Sequence, residues 1–371
     1  MTTSAQQAVR QRLLIVAPNW LGDLVMATVA LEAITRTFPA SSATAPELHL
    51  AVRRCWAPLF QDDPRIDQLV IWERRGRHAR WPGIWRLARD WRRGGYDSII
   101  LMPPSLRVAL AAQLAGIPRR FGFRCDGRGL FLSHALPLPR RGVLHYTAEQ
   151  LQLVASWAGT GSGAEGFLAT GVNPSLPGCE NLEPLAGAAA GPPIWTLATS
   201  ATYGAAKNWP GSLAAAFLER VVQAEQARII LLGDAAARTG LGELQEKTTV
   251  PWRTELAGGP GVVDLVGRTG LMEAVQALRA ARICVAIDSG LMHLAAALGV
   301  PTVGLFGSSS PDWTEPRGRW TAVVAASGFS CHPCFRRHCN QDVFCMSTLE
   351  PTAIHETARQ LLVVRDAEYG A

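Results

Sequence analysis

Residues Ile283–Phe306 read ICVAIDSGLMHLAAALGVPTVGLF. Five apolar residues run into the polar turn Asp288-Ser289-Gly290. An apolar-periodic stretch follows, and after Val300-Pro301 comes a second short apolar run. Asp288, His293, Gly299 and Pro301 interrupt the segment, so it predicts strand, helix, strand and not a membrane span. Two strands joined through a helix imply a parallel sheet and an α/β fold class.

The same alternation extends outward in both directions. Upstream stand IWTLAT from Ile194, a helix from Ser212 to Gln226, RIILLG over Arg228–Gly233, DLVG, and the helix LMEAVQALRAA. An independent series opens the chain: RLLIVAP, a helix from about Leu24 to Thr37, ELHLAV from Glu47, a basic tryptophan-rich helix over Pro82–Arg93, SIILMP, and the helix RVALAAQLAG. Between Thr160 and Pro193 the pattern dissolves into Gly, Ala, Pro and Ser, as a linker does. At 371 residues the chain exceeds what one hydrophobic core usually supports. The expected plan is an α/β domain over 12–165, a linker over 166–192, a second α/β domain over 193–350, and a last helix over 351–365 packing across either.

Composition excludes several classes. With 48% hydrophobic and 18% charged residues the chain is a folded globular protein. Its polar start and short first apolar run predict a cytoplasmic protein without a secretion signal. The net charge of +6 is unevenly spread: residues 1–141 hold 21 Lys+Arg against 10 Asp+Glu, and residues 142–371 hold 15 against 20. The first half is therefore the one suited to an anionic partner. Only Lys207 and Lys247 are lysines.

The chemistry-bearing candidates sit at strand ends. Pro18-Asn19-Trp20-Leu21-Gly22-Asp23 follows the first strand, where open α/β sheets bind ligands; Asp23 there is either a helix cap or a working carboxylate. At Asp288-Ser289-Gly290-Leu291 the helix start offers free N–H groups and a positive dipole end to a diphosphate, with Asp288 as a cap or a partner to a sugar hydroxyl. His293 is a structural histidine or a catalyst. Lys207, in the Gly204 loop, is a surface lysine or the neutralising charge for a leaving phosphate. The Arg74, Arg75, Arg77, Arg80 run with its tryptophans is a solvated helix face, an anion-binding or interfacial surface, or an RNA contact. Cys331, Cys334, Cys339 and Cys345 have one pair at metal-knuckle spacing, and read as a structural metal cluster, a disulfide staple or ordinary thiols. Gly161-Ser162-Gly163-Ala164-Glu165-Gly166 has dinucleotide spacing without the preceding strand. No phosphate-loop, zinc-protease or nucleophile-elbow motif is present.

Taken together, Pro18–Met26, Met102–Arg107, Ala115–Arg124, Gly204–Pro210, Asp288–Leu298 and Gly307–Asp312 resemble, in order, the bacterial ADP-heptose:lipopolysaccharide heptosyltransferases, glycosyltransferase family 9, and within them the heptosyltransferase II branch. The resemblance runs from Leu13 to about Leu362. It implies a GT-B fold, two Rossmann-like domains facing across a cleft, and inverting transfer from ADP-heptose to the heptose-Kdo inner core of lipopolysaccharide, with no cofactor or catalytic metal. It assigns Asp23 as general base and Lys207 as diphosphate ligand. It puts donor contacts at Gly22, Gly204, Gly233, Asp288, Ser289, Gly290, Leu291 and His293. Acceptor contacts fall to Ser105, Arg107, Arg119, Arg120 and Arg124 with the Arg74–Arg80 run. Thr199-Ser200-Ala201 and Asn208 depart from the family pattern, which leaves donor contacts from that loop open. Implied partners are ADP-heptose, the core acceptor and the inner face of the membrane, with no nucleic acid. Competing readings are heptosyltransferase I or a later core enzyme, a nucleotide-sugar epimerase on the same fold, and an RNA-binding protein.

Overall fold

The computed structural model describes residues 10–74, 76–160, 166, 171–183, 185–188 and 191–368. Arg75 and nearly all of the 161–166 glycine spacing lie outside the described residues. The chain forms two compact units: one runs to Arg140 and adds Tyr146–Val172, the other comprises Arg141–His145 and Asn173 onward.

The first unit is a six-stranded sheet of β1 (Arg12–Val16), β2 (Glu47–Arg53), β3 (Gln68–Trp72), β4 (Ser98–Leu101), β5 (Arg119–Arg124) and β6 (His134–Pro137). Their order is β3-β2-β1-β4-β5-β6, every pairing parallel. Helices α1 (Leu21–Ala27), α2 (Val29–Thr37), α3 (Arg80–Gly94), α4 (Leu106–Leu114) and α5 (Tyr146–Ala158) accompany it. The central strands β1 and β4 are buried almost throughout, as strands covered on both faces must be. The order reverses between β1 and β4, and such a switch point opens a crevice at the carboxyl ends of the strands.

The second unit repeats the plan with β7 (Ile194–Ala198), β8 (Arg228–Leu231), β9 (Trp252–Arg253), β10 (Gly261–Asp264), β11 (Ile283–Ile287), β12 (Thr302–Phe306) and β13 (Thr321–Ala325). Their order is β13-β12-β11-β7-β8-β10-β9, again all parallel. Its helices are α6 (Gly211–Glu225), α7 (Leu241–Glu246), α8 (Leu271–Arg279), α9 (Gly290–Ala297), α10 (Pro311–Thr314) and α11 (Pro351–Glu368). Here the switch point lies between β7 and β11. The last helix, α11, packs on α6 and β11–β13 of this unit, and His355 within it reaches Glu225 at 2.9 Å.

Local chemistry explains where expectation and structure part. The first helix, expected as one piece from Leu24, is two. They meet at buried Thr28, whose hydroxyl donates to the Val25 carbonyl at 2.7 Å. In α3 the apolar residues Ile84, Leu87, Ala88 and Trp91 recur at helical spacing and are buried, while Trp81 and Trp85 stay 73% and 65% exposed. The helix stops at Gly95, whose φ of 62° is the left-handed cap conformation glycine adopts without strain.

His145 ends the short crossing segment that belongs to the second unit. Its ring stands 3.0 Å from the Glu315 carbonyl oxygen, and burial, helped by Arg317, pushes its pKa down to about 4. The unfolded chain, with an ordinary histidine near 6.5, binds this proton first. Stability is then lost as pH falls from about 6.5 toward 4, by on the order of 3 kcal/mol. We expect His145→Gln to flatten that limb in denaturant titrations across pH 4–7; an unchanged slope would refute the assignment.

Candidate active site

In the second unit, Lys207 and Asp288 meet at the switch point. Lys207 ends the 3-10 turn Ala205–Lys207 in the loop after β7, and Asp288 follows β11. Lys207 Nζ donates to Asp288 Oδ2 at 2.5 Å and to the Asp288 carbonyl at 3.3 Å, with side chains 16% and 7% exposed. The ammonium also lies 5.1 Å from the Tyr203 ring centre, within cation–π range. Burial would raise the Asp288 pKa, but His293 and the Lys207 charge more than reverse this and hold it well below the usual carboxylate range. His293 Nε2 stands 3.8 Å from Asp288 Oδ1, longer than a hydrogen bond.

Asp288 was expected as a cap or a sugar partner. The residue at the N-cap of α9 is instead Ser289, so Asp288 stands outside the helix as the counter-ion of Lys207. Ser289 Oγ makes no capping bond; it and His293 Nδ1 are buried with no hydrogen-bond partner among the described residues. So are Ser308 Oγ and Ser309 Oγ, just past the end of β12. Buried polar atoms are rarely left unpaired, because each costs on the order of 1–3 kcal/mol. Three of them, the serine hydroxyls, follow the adjacent strands β11 and β12, and the fourth lies one turn into α9. Ser308 and Ser309 had no assigned role; the signal was a run of three serines after the buried strand TVGLF. Thr202 and Asp234 were also missed: Thr202 Oγ1 donates to Asp234 Oδ2 at 2.5 Å, tying the loops after β7 and β8 together just beyond Gly233.

The cysteine segment braces this site. Tyr203 Oη donates to the Phe335 carbonyl at 2.7 Å, the Ala206 N–H to the Arg337 carbonyl at 3.0 Å, and the Cys334 and Phe335 N–H groups to the Ser308 carbonyl. All eight cysteines are free thiols, so no disulfide staples the segment. Cys331, Cys334, Cys339 and Cys345 line one small cavity of about 20 Å³, yet among the described residues no three His, Cys, Asp or Glu side chains are grouped to hold a metal ion. A Cβ on Gly204 would stand 2.5 Å from the Arg337 carbonyl oxygen and 2.8 Å from its Cα. Gly204→Ala is therefore expected to cost about 1–3 kcal/mol and to shift Lys207. An unaltered melting temperature and donor KM would refute it.

In the first unit, Asp23 lies in the first turn of α1, three residues beyond the N-cap Trp20, at the carboxyl end of β1. It is not the N-cap residue itself. Tyr146, at the start of α5, has its pKa pushed well up by burial and then by the charges of Asp23 and Glu149. Ser105 is the N-cap of α4 after β4, on the other side of the same switch point.

The arginines expected at an acceptor surface divide. Arg119 and Arg120 start β5, level with Ser98 and Ile99 of β4, and so lie at the amino end of the parallel sheet, away from Asp23. Arg119 donates to the Trp157 carbonyl; Arg120 donates to those of Phe131, Ile117 and Pro118. These two hold the fold together and are withdrawn as acceptor contacts. Arg107 bonds the His78 and Arg80 carbonyls at 2.6 and 3.0 Å, fixing the start of α3, and Arg77 pairs with Asp90 at 2.9 Å. Arg124, at the carboxyl end of β5, and Arg74 remain exposed. Fully buried Arg128 and Arg228 clamp carbonyls in the same way, which accounts for part of the arginine richness.

Comparison with known proteins identifies the family. The sequence profile of glycosyltransferase family 9 (heptosyltransferase) matches residues 84–344. Lipopolysaccharide heptosyltransferase 2 of Salmonella typhimurium is 28% identical over 327 residues, covering 84% of this chain and 87% of the relative. That of Escherichia coli K12 is 26% identical over 339 residues, with the same coverage. The structure of E. coli ADP-heptose lps heptosyltransferase II superposes with a TM-score of 0.74 at 23% identity, over 96% of this chain and all of that one.

Proposed function

We propose, for a chain that belongs to glycosyltransferase family 9, the heptosyltransferases, that it moves L-glycero-D-manno-heptose from ADP-heptose onto the mono-heptosylated Kdo inner core of lipopolysaccharide. The chain is a glycosyltransferase of the GT-B class of fold, two Rossmann-like units in series. The observation that carries the reading is that each unit has charged candidates at its own switch point, Asp23 in the first and Lys207 with Asp288 in the second.

The second unit is assigned the donor. Lys207, the amino end of α9 around Ser289–Leu291 and the unpaired serine hydroxyls supply positive charge and hydrogen bonds to a diphosphate. As ADP departs they hold the charge that develops on its oxygen. The first unit is assigned the acceptor. Asp23 takes the proton of the attacking hydroxyl while that oxygen forms its bond to the anomeric carbon and the bond to ADP breaks. One displacement inverts the centre.

Purified protein is to be incubated with ADP-heptose and either Kdo2-lipid A or its mono-heptosylated form, following acceptor mass. A gain of one heptose on the second acceptor alone supports the reading. A gain on Kdo2-lipid A alone moves the enzyme one step earlier, and no gain on either sinks it.

Contact with the inner membrane face is part of the proposal. No described helix is long and apolar enough to cross a membrane. Helix α3, however, exposes Trp81 and Trp85 beside Arg86 and Arg89, a pairing suited to an anionic interface. Trp81→Ala with Trp85→Ala is expected to reduce pelleting with phosphatidylglycerol vesicles several-fold; equal pelleting would remove this part.

A further inference from the structure

The four clustered cysteines close on a single void. Cys331, Cys334, Cys339 and Cys345 line the cavity of about 20 Å³ together with Ala206 and Ser308, and a void of that size has room for about one water. Ala206 precedes Lys207, and Ser308 carries one of the buried hydroxyls without a partner among the described residues. One wall of the void is therefore the back of the proposed donor site. The sulfurs gather there without forming a metal set, since among the described residues no three such side chains are grouped to hold an ion.

Two members of the cluster differ sharply in access. Cys339 is exposed, whereas Cys345 is only 9% exposed. Burial raises the Cys345 pKa, and of the neighbouring thiols that raise it further Cys339 acts most strongly, ahead of Cys334 and Cys331. Cys345 thus stays protonated at neutral pH and is shielded from solvent, with Cys339 as its strongest thiol neighbour. Its sulfur also touches the site. A Cβ on Gly307 would stand 2.9 Å from it, so it packs directly on the backbone that leads into Ser308 and Ser309. The Ser308 carbonyl in turn accepts from the Cys334 and Phe335 N–H groups at 3.1 and 2.8 Å. The adjoining void lets the sulfurs approach one another without displacing packed atoms.

We infer that Cys339 and Cys345 form a reversible oxidation site for a hydroperoxide, and that the bond between them loosens donor binding. The exposed Cys339 sulfur attacks one oxygen of hydrogen peroxide. The O–O bond breaks and water leaves with the thiol proton, which makes Cys339 a sulfenic acid. The Cys345 sulfur then attacks the Cys339 sulfur, the S–O bond breaks, and a second water leaves with the Cys345 proton. Peroxide is reduced by two electrons and the two thiols are oxidised to one disulfide, which a dithiol reverses by exchange. Forming the bond draws the Cys345 sulfur from Gly307 toward Cys339 and so frees the strand end that carries Ser308 and Ser309. The oxidation is independent of the heptose reading; its effect on the donor rests on that reading.

The test treats the full chain with hydrogen peroxide and maps its peptides by mass spectrometry without reduction, in wild type, Cys339→Ser and Cys345→Ala. Wild type is expected to give a linked Cys339–Cys345 pair lighter by two hydrogens. Its Kd for ADP should rise about three- to ten-fold, within the cost of a small misplacement of a positioning loop. Dithiothreitol should reverse both changes. Cys339→Ser alters an exposed side chain, so it should bind ADP as wild type does and keep that affinity under peroxide. In Cys345→Ala the reaction should stop at a Cys339 sulfenic acid that dimedone captures. A first bond between any other pair overturns the proposal, as does an unchanged ADP Kd in the linked protein or an equal loss of affinity in treated Cys339→Ser. A stoichiometric metal held by the four sulfurs of the purified protein overturns it too. Should untreated wild type bind no ADP, the donor reading and the effect on it fail together, while the peptide map still decides the oxidation site.

Discussion

Asp23→Asn should lower kcat by roughly two to four orders of magnitude, the usual contribution of a positioned general base. Asparagine keeps the size and the hydrogen-bonding reach of the residue and removes only its ability to take a proton. The fold should tolerate it. Asp23 lies in the first turn of α1, where a negative charge contributes about 0.3–1 kcal/mol through the helix dipole, so the melting temperature should fall by only a few degrees. The nearby Tyr146 cannot replace the base. The Tyr146 phenol, its pKa pushed well up by burial and by Asp23 and Glu149, stays protonated at neutral pH. Donor affinity should stay near wild type, since the donor is assigned to the other unit. Single-turnover mass spectrometry and ADP titration separate the two quantities. A kcat within tenfold of wild type would remove Asp23 from the chemistry and return it to a structural role in α1.

Much of this was legible in the residues, and the limits have physical causes. Short β-branched runs followed by helix-period stretches fix a parallel α/β plan, because that alternation has few other solutions. The strand ends at Pro18–Asp23, Gly204–Lys207 and Asp288–His293 were equally readable, since ligands of open sheets gather there. Side-chain partners were not. Nothing local in Lys207 or Asp288, separated by 81 residues, says that they form an ion pair. Pattern alone could not sort the arginines either. Arg119 and Arg120 begin a strand whose register sets them at the far end of the sheet, whereas Arg53 ends one, on the same side as Asp23. Which end of a strand carries a charge is visible only once its boundaries are known. The break at Thr28 left no mark in the apolar period, which runs on through both helices.

Lys207→Met should lower kcat by roughly 10²- to 10³-fold and raise donor KM, the scale expected when a charge that stabilises a leaving group is removed. It should also destabilise the second unit by about 3–5 kcal/mol, because Asp288 is left buried with its charge uncompensated. The two losses can be separated. In wild type the folded-state pKa of Asp288 lies below its unfolded value, so the pair's stabilisation is present above pH about 4 and is lost as pH falls toward the folded value. Without the ammonium the part of that depression due to Lys207 is lost while His293 still lowers the pKa, so the acid limb of stability should become shallower. Lys207→Met combined with Asp288→Asn removes both charges, and replacing a whole buried pair is often close to neutral for stability. The double variant should therefore recover most of the lost melting temperature while turnover stays low. Recovered turnover would mean that Lys207 serves only as the counter-ion of Asp288, and the leaving diphosphate would then have to be held by the amino end of α9 and the serine hydroxyls alone.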